Sequence, residues 1–349
     1  MEKPKILIIG TGGTITAKRV NGSWVPGKIS EKELLKIIPE ISKIAEINSL
    51  NLFRTDSSNL QPYQWVKIAK CLKENWQKYD GFVITHGTDT MAYTASALSF
   101  LIHAPNKPII LTGSQVPPHN LGTDAIRNMI DAVRVAATTD VHEVAIVFNT
   151  KIMRGNRAKK MREMEYEAFE SINMLPLGVV EHDIRFTGEH YSRSKSKPKF
   201  YEKIESNLCL FKITPGFNPK ILRAAVDSGL KGIIIEGFGS GNVPIGENSL
   251  IPEIKYALKK NVPVAISTQC AIGCAWVNVY ETGQCSLNAG AIPSYDLISE
   301  TALTKMMWIL GQYPNASVDK VRELMLKNLA GEISTARTPK EKRIWDYAL

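Results

Sequence analysis

Asp80-Gly81-Phe82-Val83-Ile84-Thr85-His86-Gly87-Thr88-Asp89-Thr90 decides how the chain is read. Phe82 to Ile84 is a short apolar run, the pattern of a buried strand. His86 to Thr90 breaks it with small polar groups, and Met91 to Leu101 follows as a helical stretch with little charge. A strand therefore delivers hydroxyls and a carboxylate to its own carboxyl end, where open α/β sheets bind ligands. Taken alone, Asp89 could serve only as an N-cap. The same event recurs along the chain, and the recurrence argues for a site.

Upstream, Ile6-Leu7-Ile8-Ile9 forms a continuous apolar run of the parallel-sheet kind and ends in Gly10-Thr11-Gly12-Gly13-Thr14. Val20 to Ile29 is polar, contains Gly22 and Gly27, and reads as a mobile loop. Ser30-x-x-Glu33 is a capping box. Ile44 to Phe53 holds a second strand that ends in Asp56-Ser57-Ser58-Asn59, and Pro62 opens a helix whose face is Trp65, Ile68, Ala69, Leu72 and Trp76. Downstream, Lys107 to Leu111 ends in Thr112-Gly113-Ser114-Gln115, Asp124 to Ala137 is helical, and Val144 to Phe148 precedes Arg154-Gly155-Asn156-Arg157. Strands alternating with helices predict parallel βαβ units. Past Tyr191 to Lys199 the pattern resumes in smaller form, with strands at Leu208 to Ile213, Gly232 to Ile235 and Val262 to Ser267. The expected fold is α/β: a larger amino-terminal domain over 1–190 with a mostly parallel sheet flanked by helices, a linker over 191–206, and a smaller α/β domain over 207–349.

The 349 residues exceed the usual size of one domain, and 44% hydrophobic with 22% charged residues is ordinary for a globular protein. The start runs into a strand without a signal-peptide pattern, and no apolar run is long enough to span a bilayer. Five cysteines, an odd number, predict reduced thiols and a cytoplasmic address. The net charge of +9 admits nucleic acid or an anionic substrate. Its basic residues are scattered apart from Lys151 to Arg162 and the linker cluster Arg193 to Lys199, and no zinc-finger or RNA-binding motif is present, which argues against nucleic acid.

Thr11, Thr14, Asp56, Ser57, Ser58, Thr88, Asp89, Ser114 and Gln115 all fall at strand ends. Hydroxyls, one or two carboxylates and no histidine cluster suit a small zwitterion: a carboxylate meets an α-ammonium, while hydroxyls and N–H groups meet an α-carboxylate. Neither needs a metal. A threonine hydroxyl becomes a nucleophile only beside a base, and Thr88, Asp89 and a lysine from the basic stretch would form such a relay. Thr14 and Thr88 both remain nucleophile candidates at this level. A dinucleotide loop fails because Ile15 occupies the third glycine position. His86 reads as a packed strand-end histidine. Cys270-x-x-x-Cys274 with Cys285 has no standard zinc spacing and reads as buried apolar cysteines.

Gly10-Thr11-Gly12-Gly13-Thr14-Ile15 and Thr85-His86-Gly87-Thr88-Asp89-Thr90-Met91-Ala92-Tyr93 resemble the two signature regions of bacterial-type L-asparaginases. Asp56-Ser57-Ser58, Leu111 to Gln115, Arg154 to Lys160, Ala168 to Ser171, Thr268-Gln269-Cys270 and Glu300 to Lys305 resemble the cytoplasmic, type I branch. The resemblance implies hydrolysis of L-asparagine to L-aspartate and ammonia without a cofactor. It implies Thr14 as nucleophile, with Thr88, Asp89 and Lys160 as the second catalytic cluster. It implies that Ser57 and Ser58 hold the α-carboxylate with Asp56 beside them, and that Asp89 holds the α-ammonium. Asn242 falls in a loop that in the family approaches the neighbouring subunit's site, within a dimer or dimer of dimers.

Two departures stand out. The family's lid-loop tyrosine position holds Trp24, whose N–H can donate but cannot pass on a proton. The arginine of the allosteric asparagine site found in some type I enzymes is replaced by Glu236, although Thr268 and Cys270 match, so effector binding of that form is not expected. The competing readings are an ammonia-supplying component of a tRNA-dependent amidotransferase and a non-catalytic amino-acid sensor.

Overall fold

The computed structural model describes residues 2–187, 189–192 and 197–334, which form parts of two compact units, Met1–Ser206 and Asn207–Leu349. In the first, an eight-stranded sheet runs in the order Ile184–Phe186, Gly178–Val180, Lys151–Arg154, Val144–Phe148, Ile109–Thr112, Gly81–Thr85, Lys5–Gly12, Glu46–Thr55. The last five strands pair in parallel, and the first three are added antiparallel. Chain order across the parallel part reverses between Lys5–Gly12 and Gly81–Thr85, so the two loops leaving these strands diverge and open a crevice.

Alternation along the parallel strands splits the apolar residues between the two faces. Ile6, Ile8, Val83, Ile110, Ala145 and Val147 face a core shared with Met129, Ala132, Val133 and Ala136 of helix Ala125–Thr138. On the other side Phe82 stacks on Trp76 at 5.2 Å, at the end of helix Pro62–Asn75. Of the parallel strands, all but the edge strand Glu46–Thr55 are buried on both faces, which is why they read as unbroken apolar runs. The capping box forms: Ser30 Oγ accepts from Glu33 N–H, and the Glu33 carboxylate accepts from Ser30 N–H.

The second unit holds a four-stranded parallel sheet, Leu208–Lys212, Gly232–Gly237, Val264–Thr268 and Ile292–Pro293. Ile233, Ile235, Val264 and Ile266 pack with Leu222, Ile254 and Ala257 from its helices. Lys305 and Glu332, both fully buried, pair at 2.6 Å, and Glu332 also accepts the N–H groups of Leu329 and Ala330.

Several expectations are corrected. Val20 to Ile29 is not featureless: Lys18–Val20 and Ser23–Val25 pair antiparallel about Asn21-Gly22, both with positive φ, a turn whose twist matches a hairpin. Lys199–Phe200, within the expected linker, pairs with Ile102–His103 in the first unit, whereas Arg193 to Ser196 lie outside the described residues. Helix Glu281–Asn288 is not evident in the sequence pattern, because Gly283 interrupts it; that glycine is required, since a Cβ there would lie 2.0 Å from the Val277 carbonyl oxygen. The cysteines expected to be buried are not: Cys270 is exposed and Cys274 and Cys285 are half-buried, because two lie on the connection after strand Val264–Thr268 and the third on that unforeseen helix.

Candidate active site

The crevice between strands Lys5–Gly12 and Gly81–Thr85 is drawn tight by glycines. Thr11 Oγ1 donates to the Thr85 carbonyl at 2.7 Å, tying the two loops at their roots. Gly13 then lies flat on the next loop; a Cβ there would stand 2.3 Å from the Gly87 nitrogen. A Cβ on Gly87 would in turn stand 2.6 Å from Ser57 Oγ. Three loops that carry Thr14, Thr88 and Ser57 are thereby in van der Waals contact, an approach that larger residues would prevent.

Thr14 opens a single 3-10 turn, Thr14–Thr16, and is half-buried. Among the described residues its hydroxyl has no hydrogen-bond partner. Thr16, two positions on, anchors the hairpin: its Oγ1 accepts from Gly27 N–H at 3.1 Å and its carbonyl from Ile29 N–H at 2.9 Å. Trp24 sits on that hairpin opposite Arg19 and is 46% exposed.

Thr88, Asp89 and Lys160 meet. Lys160 Nζ donates to Thr88 Oγ1 at 2.8 Å and to Asp89 Oδ1 at 2.7 Å. Lys160 comes from strand Ala158–Lys160, held by pairing with Phe169–Ser171, and its side chain is 18% exposed against 60% for Asp89. The Asp89 carboxylate therefore faces solvent while its lysine partner is sheltered. Asp56 caps the one-turn helix Ser57–Asn59, accepting from Ser58 N–H at 2.9 Å and Ser58 Oγ at 2.8 Å. Thr90 Oγ1 donates to the Ser57 carbonyl at 2.7 Å, so that turn is fastened to the loop of Thr88 and Asp89.

Gln115, which the sequence marks only as a strand-end group, has a defined place. Thr88 Oγ1 donates to its Oε1 at 3.2 Å, and its Nε2 donates to the carbonyls of Glu163 and Glu165 at 2.7 and 3.1 Å. Asp124 fixes its backbone by accepting from the N–H groups of Gln115 and Val116. No spacing rule links residues 88, 115 and 163, so only folding reveals this contact. His86 is buried, as its strand-end reading expects.

Asn242, Glu236, Thr268 and Cys270 belong to the second unit. Asn242 Oδ1 accepts from Thr282 Oγ1 at 3.0 Å, within a turn where Gly239 and Gly241 have positive φ. Glu236 lies one residue before the end of strand Gly232–Gly237, paired with Ser267, and Thr268 ends the neighbouring strand; Thr268 Oγ1 donates to the Gly239 carbonyl and accepts from Cys270 N–H.

The family model described as "Asparaginase, N-terminal" matches residues 5–192, and that of the "Glutaminase/Asparaginase C-terminal domain" matches 207–325. A glutamyl-tRNA(Gln) amidotransferase subunit of Pyrococcus abyssi is 40% identical over 345 residues, covering 95% of this chain and 77% of that protein. An L-asparaginase of Thermococcus kodakarensis is 35% identical over 331 residues, covering 95% of this chain and 99% of its own. The crystal structure of L-asparaginase I from Vibrio cholerae superposes with a TM-score of 0.86 at 34% identity, covering 95% of this chain and 99% of that one.

Proposed function

Since the chain belongs to the asparaginase family of amidohydrolases, we propose that it hydrolyses L-asparagine to L-aspartate and ammonia through Thr14. The observation that carries this reading is the meeting of Lys160, from strand Ala158–Lys160, with Thr88 and Asp89 of the next loop, against which Gly13 presses the loop carrying the half-buried Thr14 hydroxyl. In this mechanism Thr14 Oγ attacks the side-chain amide carbon as its proton passes to Thr88 Oγ1, while Thr88 turns its own proton from Gln115 to Lys160 Nζ, which enters the step as the neutral amine. The proton is returned to the amide nitrogen, which leaves as ammonia. Water then cleaves the Thr14 ester and releases aspartate. Asp89 takes the α-ammonium, and Ser57 and Ser58 take the α-carboxylate with Asp56 ordering their turn. The working form would be a dimer or dimer of dimers, cytoplasmic, in which the Asn242 loop meets a neighbour's site.

Purified protein assayed for ammonia with L-Asn, L-Gln and D-Asn tests this directly. Thr14→Ala and Lys160→Met should each lose roughly a hundredfold or more in kcat while keeping the wild-type melting temperature, the scale of losing an activated nucleophile or its base. Near-wild-type ammonia release by either variant would remove the assignment. An inactive wild type that still binds asparagine would favour the sensor.

The similarity to the Pyrococcus amidotransferase component supports a second reading, in which the same chemistry supplies ammonia to a tRNA-dependent amidotransferase. Co-purification with a partner protein or tRNA, and ammonia release that rises when either is added, would favour it. A constant rate without them favours the free-standing enzyme.

A further inference from the structure

Resting on that amidohydrolase reading, we propose that His86 is a positioning residue whose neutral Nδ1–H holds the Gly87 carbonyl, and with it the glycine against which the Thr14 and Ser57 loops pack. The hydrogen bonds around the ring run in one direction only. The ring is fully buried, with Nδ1 2.7 Å from the Gly87 carbonyl oxygen and Nε2 2.8 Å from Thr94 Oγ1. Trp65 Nε1 lies 3.0 Å from the same Thr94 oxygen. An indole N–H can only donate and a carbonyl can only accept. Trp65 therefore donates to Thr94, Thr94 donates to a bare Nε2, and the protonated Nδ1 donates to Gly87. The opposite tautomer would set a lone pair against the Gly87 carbonyl and leave the Thr94 hydroxyl without its acceptor. Burial also disfavours the charged ring, pushing the imidazole down to about 4 against a smaller upward pull from the Gly87 bond.

Gly87 and the 86–87 peptide just before the held carbonyl are a shared support. His86 N–H donates to the Thr112 carbonyl at 2.9 Å. A Cβ on Gly13 would lie 2.7 Å from the His86 carbonyl carbon, and one on Gly113 would lie 2.4 Å from its oxygen. Rotation of the 87–88 peptide would turn Thr88 away from Lys160 and loosen the seat of Thr14. An uncharged ring that never touches substrate would thus set the distance between nucleophile and relay.

Three variants separate the two ends of the ring. In His86→Asn the amide nitrogen sits as many bonds from Cα as Nδ1, so it can keep the Gly87 bond while losing Thr94. In His86→Gln the amide reaches the Nε2 position, keeping Thr94 and losing Gly87. His86→Phe keeps volume alone. Positioning through Gly87 predicts kcat within about threefold of wild type for Asn, a fall of roughly tenfold or more for Gln and Phe, and little change in KM. Equal losses for Asn and Gln that track their melting temperatures, no loss in either, or a better Gln than Asn would each overturn it.

If the variants do not fold, nitrogen-15 spectra of the wild-type imidazole decide. A proton on Nδ1 and a bare Nε2 at neutral pH support the assignment, and a proton on Nε2 overturns it. That measurement needs no turnover, so a wild type inactive on asparagine would count against the function and leave the tautomer readable.

Discussion

A single buried ring already makes this protein sensitive to acid. The folded state keeps His86 neutral down to about pH 4, whereas an exposed histidine in the unfolded chain protonates near 6.5. Between those values the unfolded state binds more protons, so its contribution to stability is complete above pH 6.5 and is lost as pH falls towards 4. The loss would be at most about 3 kcal/mol, from the gap between the two pKa values. Denaturant midpoints measured from pH 7 to 4.5 should fall less steeply in His86→Asn, which has no group to titrate there. Parallel slopes for the two proteins would show that His86 titrates alike in both states. The hydroxyls around it carry no such pH term. Thr88 is set by Lys160 on one side and Gln115 on the other, and its value lies in direction rather than charge.

At the scale of elements, the hairpin Lys18–Val20 and Ser23–Val25 is held loosely, its strands almost wholly exposed. Two strands with exposed faces are marginal by themselves. They are fastened at one end by Thr16, which shares its 3-10 turn with Thr14, while Gly22 at the tip has open space around it. Such an element can move as a unit about its root, and we expect it to act as a lid with Trp24 as the covering ring. L-aspartate should then change the fluorescence assigned to Trp24 by comparison with Trp24→Phe. Trp24→Gly should lower kcat, while Trp24→Tyr should keep or raise it by restoring a phenol. A Trp24→Gly enzyme with unchanged kinetics would take the hairpin tip out of the mechanism.

For the whole molecule, we expect no regulation by an amino-acid effector at the strand ends of the second unit. Glu236 pairs with Ser267, the residue before Thr268, and its carboxylate would repel the carboxylate of an amino-acid effector. The rate should therefore rise hyperbolically with L-asparagine, measured alongside the size-exclusion mass that distinguishes dimer from tetramer. A sigmoidal curve abolished by substituting Glu236, Thr268 or Cys270 would show that an effector does bind there.

The βαβ order was legible from residues alone, because strands buried on both faces must be continuously apolar and helices packed on them must repeat at 3.6 residues. The strand-end hydroxyls and carboxylates were legible for the same reason, as polar groups interrupting such runs. The resemblance drew Thr14 and Lys160 to one chemistry. Other features depended on contacts between distant residues. The hairpin about Asn21-Gly22 read only as a mobile loop, because its polar strands lack the apolar alternation that marks a strand packed on a core. Gly283 concealed a helix, because its reason is the Val277 carbonyl six positions away. Gln115 between Thr88 and the Glu163 carbonyl, and the single direction of Trp65, Thr94, His86 and Gly87, arise only when separate loops meet. Sequence determines which groups arrive at the strand ends, since periodicity is local. Which proton points at which lone pair is decided by tertiary structure, since a hydrogen bond depends on distance and angle between residues far apart in the chain.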